Sequence, residues 1–279
     1  MTRIAVLQMT SGIDPAVNAA TLAQAVAEAA DGGAAMLFTP EMSGLIDRDR
    51  ARAASHIVPE GEDRVLATVR EAAARAGIWV ALGSLAVRRE GGASSEEGAR
   101  YANRSFVIDP SGAIRARYDK LHMFDVDLAT GESWRESNAY APGEALGVVE
   151  GTPLGRLGLA ICYDVRFPAL FEALGRAACD AIAIPAAFTV PTGKAHWHLL
   201  QRARAVEASA WVIAAAQVGR HEDGRETYGH SLVVDPWGDV VLDLGGERAG
   251  LGFATLDPAR TAEVRAQLPS LANRREIPR

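Results

Sequence analysis

The chain has 279 residues, of which 48% are hydrophobic and 23% are charged. A chain of this length and apolar content buries a core of its own, which excludes an intrinsically disordered protein. The formal net charge of −6 argues against nucleic acid or an anionic membrane as a partner, because both require a basic surface. Every apolar run is shorter than the roughly 18 residues of a spanning helix, so we expect neither a membrane span nor a signal peptide.

The chain contains two cysteines, Cys162 and Cys179. Two thiols exclude the disulfide framework of a small secreted domain, and their spacing matches no four-ligand zinc pattern. We therefore expect reduced thiols, a cytoplasmic location and no bound metal. The sequence also lacks the glycine-rich motifs of nucleotide-binding loops, so we expect no cofactor.

Short β-rich runs alternate with Ala-rich amphipathic stretches along the whole chain. The first run predicts a strand at 4–9, and the stretch after it, which ends at two glycines, predicts a helix at 15–30. The later predicted strands are 35–39, 78–87, 104–108, 114–118, 157–161, 181–185, 211–216, 231–234 and 240–244. The later predicted helices are 63–75, 167–178 and 195–208.

The loops indicate which strands pair. The segments Asp109-Pro-Ser-Gly112 and Asp235-Pro-Trp-Gly238 each separate two predicted strands, and Asp, Pro and Gly are the residues that tight turns favour. The Gly-, Ser- and Glu-rich segment 90–100 predicts an exposed hairpin loop. No break in composition divides the chain, so we predict a single α/β domain over residues 1–279, with a mixed sheet covered by helices.

Cys162 is the first candidate for chemistry, because it ends an apolar strand just before a predicted helix. In α/β folds reactive side chains lie where strands end. Amides at the N-terminus of a helix favour a thiolate and can hold an oxyanion. The alternative is a buried packing cysteine, which is common for free thiols. For Cys179, at a helix end without polar neighbours in sequence, packing is the only interpretation.

Two charged residues follow other predicted strands. Glu41 comes just after a buried strand, where apolar walls are expected to raise the pKa of its carboxyl and suit it to act as a general base. Lys120 lies where a hairpin strand runs into a long loop, and its ammonium could donate to a developing oxyanion. The alternatives are an ordinary surface glutamate and a solvated lysine.

Together these segments resemble the Glu–Lys–Cys triad of the nitrilase, or carbon–nitrogen hydrolase, superfamily. The resemblance covers nearly the whole chain. The segments that carry it are PEMS (40–43), YDKLHMFDVD (118–127), ESNAYAPG (136–143), GLAICYDVRFP (158–168), AFTVPTGKAHWHLLQRARAVE (187–207) and YGHSLVVDPWGDVV (228–241). Such a set of motifs in this order is very specific.

The resemblance implies an α/β fold of four layers, the α-β-β-α sandwich, usually assembled as a homodimer or a larger homo-oligomer. It also implies that Glu41 is the general base, Lys120 an oxyanion donor and Cys162 the nucleophile, with Glu136 as an additional active-site glutamate. The chemistry requires a place for the oxyanion. We expect it to lie between Lys120 and the backbone N–H of Tyr163.

The activity that the resemblance implies is hydrolysis of an amide C–N bond through a Cys thioester, in a small substrate that carries a carboxylate. Segment 214–231 favours the branch of nitrilase-like amidases that acts on deaminated glutathione, which yields 2-oxoglutarate and cysteinylglycine. One alternative is an omega-amidase acting on 2-oxoglutaramate or 2-oxosuccinamate. Another is a different amidase of the superfamily, with a nitrile or N-carbamyl substrate.

A carboxylate-bearing substrate needs a cation in the pocket, and Arg166 is the candidate because guanidinium binds carboxylate bidentately. The competing interpretation is a structural ion pair of Arg166 with Asp164 or another acid. Two positions depart from the superfamily's pattern: Ala169 stands where relatives often carry Glu, and Ala186 stands where Gly or Ser is frequent. Neither belongs to the triad, so both concern pocket shape and substrate choice.

Two other interpretations stay open. Cys162 could act with His122, His196 or His230 as a Cys–His hydrolase, although this leaves the glutamate and the lysine unexplained. The chain could also be a binding scaffold, which is expected to show a damaged triad. His196 and His198 do not indicate a shared metal, because residues two apart on a helix point about 200° away from each other.

Overall fold

The computed structural model describes residues 1–89, 101–127, 131 and 133–275. The loop predicted at 90–100 lies outside these residues. The described strands are β1 Thr2–Gln8, β2 Met36–Phe38, β3 Trp79–Arg88, β4 Tyr101–Ile108, β5 Ile114–Asp119, β6 Asp125–Asp127, β7 Ser133–Arg135, β8 Gly147–Thr152, β9 Gly155–Leu159, β10 Ala181–Ala183, β11 Trp211–Ala214, β12 Val218–Arg220, β13 Glu226–Tyr228, β14 Leu232–Val234, β15 Val240–Asp243 and β16 Gly250–Leu256. The described α-helices are α1 Pro15–Asp31, α2 Arg50–Ala54, α3 Arg64–Ala76, α4 Pro168–Arg176, α5 Val190–Ala208 and α6 Pro258–Gln267.

Most of the strands form two sheets of six strands each. The first sheet has the order β16-β1-β2-β3-β4-β5, and the second has the order β15-β14-β11-β10-β9-β8. In the first sheet β1, β2 and β3 are parallel, β16 and β4 flank them in the antiparallel direction, and the edge strand β5 runs antiparallel to β4. The second sheet repeats this scheme around β9, β10 and β11. The expectation of one mixed sheet was therefore wrong, because local patterns reveal strands but not which strands are neighbours.

The side chains of β1 show how the layers stack. Ile4 and Val6 belong to a core shared with the second sheet and with helices α4 and α5. Ala5 and Leu7 belong to a separate core shared with α1 and α3. Since successive side chains of a strand point to opposite faces, the first sheet lies between α1 and α3 on one side and the second sheet on the other. This is the four-layer α-β-β-α sandwich that the family resemblance implied.

Helix boundaries follow the local capping chemistry. The Asp14 carboxylate accepts the N–H of Ala16 at the start of α1, where Pro15 is the first helical residue. Asp63 caps α3 in the same way by accepting the N–H of Leu66, and Gly77 ends that helix in the left-handed conformation. These are preferred residues for helix ends, which explains why both helices lie within a residue or two of the prediction.

Helix α5 begins at Val190, five residues before the predicted start at 195. The predicted helix thus began after Pro191 and Gly193, but proline fits the first turn of a helix. Gly193 is required for packing, because an added Cβ would lie 2.3 Å from the ring of Tyr228. The β12–β13 hairpin therefore packs directly against the backbone of α5.

No helix in the described part of the chain is both long enough and apolar enough to cross a membrane.

Candidate active site

A cavity of about 790 Å³ opens where the two sheets meet. Its volume lies within the range of small-molecule sites. All the residues that the sequence analysis placed in a catalytic or binding role line this cavity: Glu41, Lys120, Glu136, Cys162, Tyr163 and Arg166.

The ends of strands bring the triad together from both sheets. Glu41 follows β2 and Lys120 follows β5 in the first sheet, whereas Cys162 follows β9 in the second. The chain before Glu41 passes so close to β3 that a Cβ on Gly83 would lie 2.0 Å from the carbonyl oxygen of Thr39. Only glycine allows this approach, so Gly83 contributes to the position of Glu41.

Lys120 is the centre of a buried charge network. Its Nζ lies 3.0 Å from Glu41 Oε1 and 2.9 Å from Glu136 Oε2, and its side chain is 2% exposed. Burial acts to lower the pKa of Lys120, but the carboxylates of Glu136 and Glu41 hold that pKa well above its usual value. The lysine is thus a permanent cation at the base of the cavity, and Glu136 is its second counterion.

Asn103 on β4 joins the two carboxylates and was missed by the sequence analysis. Its Nδ2 donates to Glu41 Oε1 at 2.9 Å and to Glu136 Oε1 at 3.2 Å. Asn103 is 1% exposed on β4, and buried polar groups need partners. It lies outside the strand predicted at 104–108 and beside the polar residues Arg104 and Ser105, so the sequence carried no sign of its burial.

The environment of Glu41 is polar, which corrects the apolar walls that we expected. Besides Lys120 and Asn103 at Oε1, the backbone N–H of Ala187 donates to Oε2 at 2.8 Å. Ala187 follows β10 of the second sheet. This hydrogen bond therefore ties the general-base candidate of one sheet to the backbone of the other.

Cys162 has a left-handed backbone, with φ of +47°. It begins a short 3₁₀ helix, Cys162–Arg166, and α4 starts only at Pro168. The expected single helix at 167–178 is thus preceded by a separate 3₁₀ turn. A non-glycine residue in this region of backbone space is strained and is held by its surroundings.

Asp164 holds the turn that carries Cys162. One of its carboxylate oxygens accepts the N–H of Ile161 at 2.9 Å and the hydroxyl of Tyr118 at 2.7 Å. The other oxygen accepts the backbone N–H of His122 at 3.0 Å and lies 2.7 Å from its Nδ1. Because Asp164 is completely buried, these partners compensate the cost of burying its charge.

The thiol of Cys162 is protonated at rest. Burial raises its pKa well above the usual value, the negative charge of Glu41 raises it further, and the positive charge of Lys120 opposes the rise. The sulfur therefore needs a base to take its proton when it attacks. Cys179 is fully buried in the core that the two sheets share. Burial raises the pKa of its thiol to about 11. These observations confirm the packing interpretation of Cys179.

The histidines do not support a Cys–His hydrolase. No histidine of the described segments 1–89, 101–127 and 133–275 lines the cavity. His122 is bound to Asp164 and stacks on the ring of Phe167 at 3.6 Å. This hypothesis was therefore wrong.

His196 and His198 point to different neighbours, as the helix geometry predicted. His196 Nδ1 lies 3.3 Å from a guanidinium nitrogen of Arg166. His198 instead lies 2.9 Å from Asp243, which also contacts His230 at 3.0 Å. The contact of His198 and His230 with Asp243 could not be predicted from the sequence, since these residues are far apart along the chain.

Arg166 does not form the ion pair with Asp164 that we considered, because the partners described above occupy both oxygens of that carboxylate. Its guanidinium carbon lies 5.4 Å from the ring centroid of Phe188 and 5.9 Å from that of Tyr163. The charged group therefore faces the cavity against aromatic rings.

Comparison with known proteins agrees with this geometry. The family model described as carbon–nitrogen hydrolase matches residues 3–266. The chain is 38% identical over 275 residues to a deaminated glutathione amidase of Yersinia enterocolitica. This alignment covers 98% of this chain and 93% of that protein. It is 40% identical over 272 residues to the human deaminated glutathione amidase, and this alignment covers 98% of this chain and 82% of the human protein.

A solved structure shows the same fold. The C. elegans NitFhit protein superposes with a TM-score of 0.88 at 36% identity, over 98% of this chain and 65% of that longer one. This chain belongs to the carbon–nitrogen hydrolase family, and it is an enzyme that cleaves carbon–nitrogen bonds of amides.

Proposed function

We propose that the protein is a thiol amidase that hydrolyses deaminated glutathione to 2-oxoglutarate and cysteinylglycine. The observation that carries the chemistry is the convergence of Glu41, Lys120 and Cys162 on one buried wall of the cavity. The substrate is supported by the relatives of that name, which align with nearly the whole chain.

In the acylation step, Cys162 Sγ attacks the carbonyl carbon of the amide while Glu41 accepts the thiol proton. The carbonyl oxygen becomes an oxyanion between the Lys120 ammonium and the backbone N–H of Tyr163, which is in the first turn of the 3₁₀ helix and has no acceptor within that turn. The C–N bond then breaks, and Glu41 gives its proton to the departing nitrogen. The free amine and a thioester on Cys162 result.

In the deacylation step, water attacks the thioester carbon and Glu41 accepts a proton from it. The same oxyanion donors stabilise the second tetrahedral intermediate. The C–S bond breaks, the thiolate regains a proton from Glu41, and the carboxylic acid leaves. Glu136 keeps Lys120 charged and in place through its contacts of 2.9 and 3.1 Å, so both steps use one preformed cation.

The test compares kcat/KM of the wild-type enzyme for deaminated glutathione and for 2-oxoglutaramate. Both substrates release 2-oxoglutarate, so one coupled assay serves for both, with Cys162→Ala as the blank. We expect a preference of a hundredfold or more for deaminated glutathione, which is about 2.7 kcal/mol of transition-state discrimination. A preference for 2-oxoglutaramate assigns the omega-amidase activity instead, and inactivity on both rejects the proposed substrate.

We also propose that the chain assembles as a homodimer or a larger homo-oligomer. Leu199 and Val206 of α5 are 67% and 42% exposed, and Trp237 in the turn after β14 is 48% exposed. Exposed apolar groups of this size favour contact with another protein surface. Light scattering coupled to size-exclusion chromatography tests this proposal, and a monomer at micromolar concentration contradicts it.

A further inference from the structure

One wall of the cavity carries two arginines around a single indole ring. The guanidinium carbon of Arg225 lies 4.8 Å from the ring centroid of Trp134, and that of Arg48 lies 5.9 Å from it. Arg225 precedes β13, Trp134 is on β7, and Arg48 lies in the loop before α2. We call these three residues the Arg–Trp patch.

The patch presents donors that lack acceptors. Within the described part of the chain, the buried Nε of Arg225 and the buried Nε1 of Trp134 make no hydrogen bond. Buried N–H groups are almost always paired in folded proteins, and a donor that stays unpaired costs free energy until a ligand binds it. Both residues line the cavity, and the Arg225 side chain is 20% exposed, so an acceptor in the cavity can approach its guanidinium.

The charges around the patch do not balance. Asp223 is the nearest acid, with one carboxylate oxygen 3.4 Å from a terminal nitrogen of Arg225. Its other oxygen accepts the backbone N–H of Arg225 at 2.9 Å. The other carboxylates whose charge interacts with Arg225 have closer cations of their own, because Asp47 pairs with Arg52 at 2.6 Å and Glu41 with Lys120 at 3.0 Å.

The protonation equilibrium of Arg225 reflects the same imbalance. Burial lowers the pKa of Arg225, the charge of Asp223 acts against that change, and the nearby charge of Arg48 lowers the pKa further. A second anion next to the guanidinium reduces the cost of burying its charge.

The whole cavity has the same bias. Six basic and four acidic side chains line it, although the chain as a whole has more acidic than basic residues. A locally positive cleft in an acidic protein concentrates and orients anionic ligands.

The patch and Arg166 serve different parts of the cavity. Arg166 lies with Phe188 and Tyr163, beside the nucleophile. Arg225 lies on the side of the general base, close enough for the charge of Glu41 to affect it. In the proposed reaction Glu41 faces the departing nitrogen, so the leaving group extends toward Arg225.

We propose that the Arg–Trp patch binds the carboxylate at the far end of the leaving group, with Arg225 as its principal ligand. This inference rests on the proposed function, because only a substrate with an amino-acid or dipeptide leaving group has that carboxylate. The patch is a specificity-determining subsite, since an amide that releases ammonia has nothing to place there. A planar guanidinium and an indole N–H together match the two oxygens of a carboxylate.

The test uses two substrates, deaminated glutathione and its C-terminal amide, which differ only in the terminal charge. The variants are Arg225→Gln and, as a matched control, Arg220→Gln. Arg220 is on the same hairpin, is exposed and does not line the cavity. The wild type is expected to prefer the carboxylate substrate by about 10- to 100-fold, the usual effect of a charged hydrogen bond.

In Arg225→Gln we expect this preference to fall to less than about threefold, because the ligand for the charge is gone. Arg220→Gln is expected to keep the wild-type preference. A second variant, Trp134→Phe, keeps an aromatic ring but removes the indole donor, and it should lose several-fold of the preference.

Three outcomes overturn the proposal. The first is that the wild type shows no preference for the carboxylate substrate. The second is that Arg225→Gln keeps the wild-type preference. The third is that Arg225→Gln cleaves both substrates more slowly by the same factor, which is the result of a general structural defect. If wild-type enzyme cleaves 2-oxoglutaramate but neither of the two larger substrates, the proposed function fails and the subsite fails with it. If the wild-type enzyme cleaves deaminated glutathione and Arg225→Gln keeps the wild-type preference for the carboxylate substrate, the subsite alone is rejected.

Discussion

The two six-stranded sheets share one strand scheme but support the site in different ways. The first sheet supplies charged side chains, Glu41 and Lys120, which are held by ion pairs and by the amide of Asn103. The second sheet supplies Cys162, which is held by a left-handed backbone and by the hydrogen bonds of Asp164. The acid–base half of the site thus depends on electrostatics, and the nucleophilic half depends on backbone conformation.

This difference predicts different responses to substitution. Changes to the charged groups of the first sheet should chiefly alter rates and proton affinities, because these groups act on the reaction through their charge. Changes around the Cys162 turn should also reduce stability, because buried hydrogen bonds are lost there.

The largest effect is expected for the nucleophile itself. Cys162→Ala should lower kcat/KM by at least about 10⁴-fold, because no acyl-enzyme can form. Cys179→Ala is the matched control and should keep kcat/KM within about threefold of the wild type, since Cys179 is buried in the core and does not line the cavity. Mass spectrometry of enzyme mixed with substrate should detect the thioester in wild type and in Cys179→Ala only. Turnover near wild type in Cys162→Ala contradicts the mechanism.

The next effect concerns the cation of the first sheet. Lys120→Met should lower kcat by about 10²- to 10³-fold, the usual loss when one oxyanion donor is removed. Steady-state kinetics measure this change, and thermal unfolding shows whether the variant is folded. A kcat within tenfold of the wild type, in a folded variant, removes Lys120 from the oxyanion site.

A third effect should separate stability from charge. Asp164→Asn replaces one acceptor of the Cys162 turn by an amide donor, so it should reduce the free energy of unfolding by about 1–3 kcal/mol. Urea denaturation followed by fluorescence measures the change. Asp239→Asn, at an exposed turn position, is the control and should leave the unfolding midpoint unchanged. An unchanged midpoint in Asp164→Asn as well would show that the turn does not depend on this carboxylate.

The smallest expected effect is a shift in the pH profile of the thiol. Glu41 raises the pKa of Cys162 and Lys120 lowers it. The rate of alkylation by iodoacetamide follows the thiolate, so its midpoint should move to lower pH in Glu41→Gln and to higher pH in Lys120→Met. Cys179→Ala provides the background in which to measure it. Shifts in the same direction for both variants would contradict the assigned geometry.

Local sequence signals were sufficient where a few residues define an element. The ends of α1 and α3 could be predicted from Asp14, Asp63 and Gly77, since capping is a property of neighbouring residues. The hairpins β6–β7 and β12–β13 were missed, because strands of three residues are too short to show an alternating pattern. The division into two sheets depends on contacts far apart in sequence, and only the family resemblance supplied it.

The same distinction applies to the site. Glu41, Lys120 and Cys162 each follow a predicted strand, and they were recognisable because their motifs stand in the order of a known family. Arg225 was not, because it lies in the charged segment 220–226, which has the composition of a solvated turn. Its burial arises from the packing of the β12–β13 hairpin against α5 and the cavity wall, which no local pattern encodes.

The pairing of β1 with β16 has a consequence for synthesis on the ribosome. Thr2 pairs with Leu256 and Gln8 with Gly250, so β1 leaves the ribosome long before its partner β16, the last of the described strands. Until then one edge of β1 is unpaired, and unpaired edges promote association between chains. A chain released before residue 250 therefore contains the whole triad but has an open sheet edge, and it is expected to aggregate unless a chaperone covers that edge.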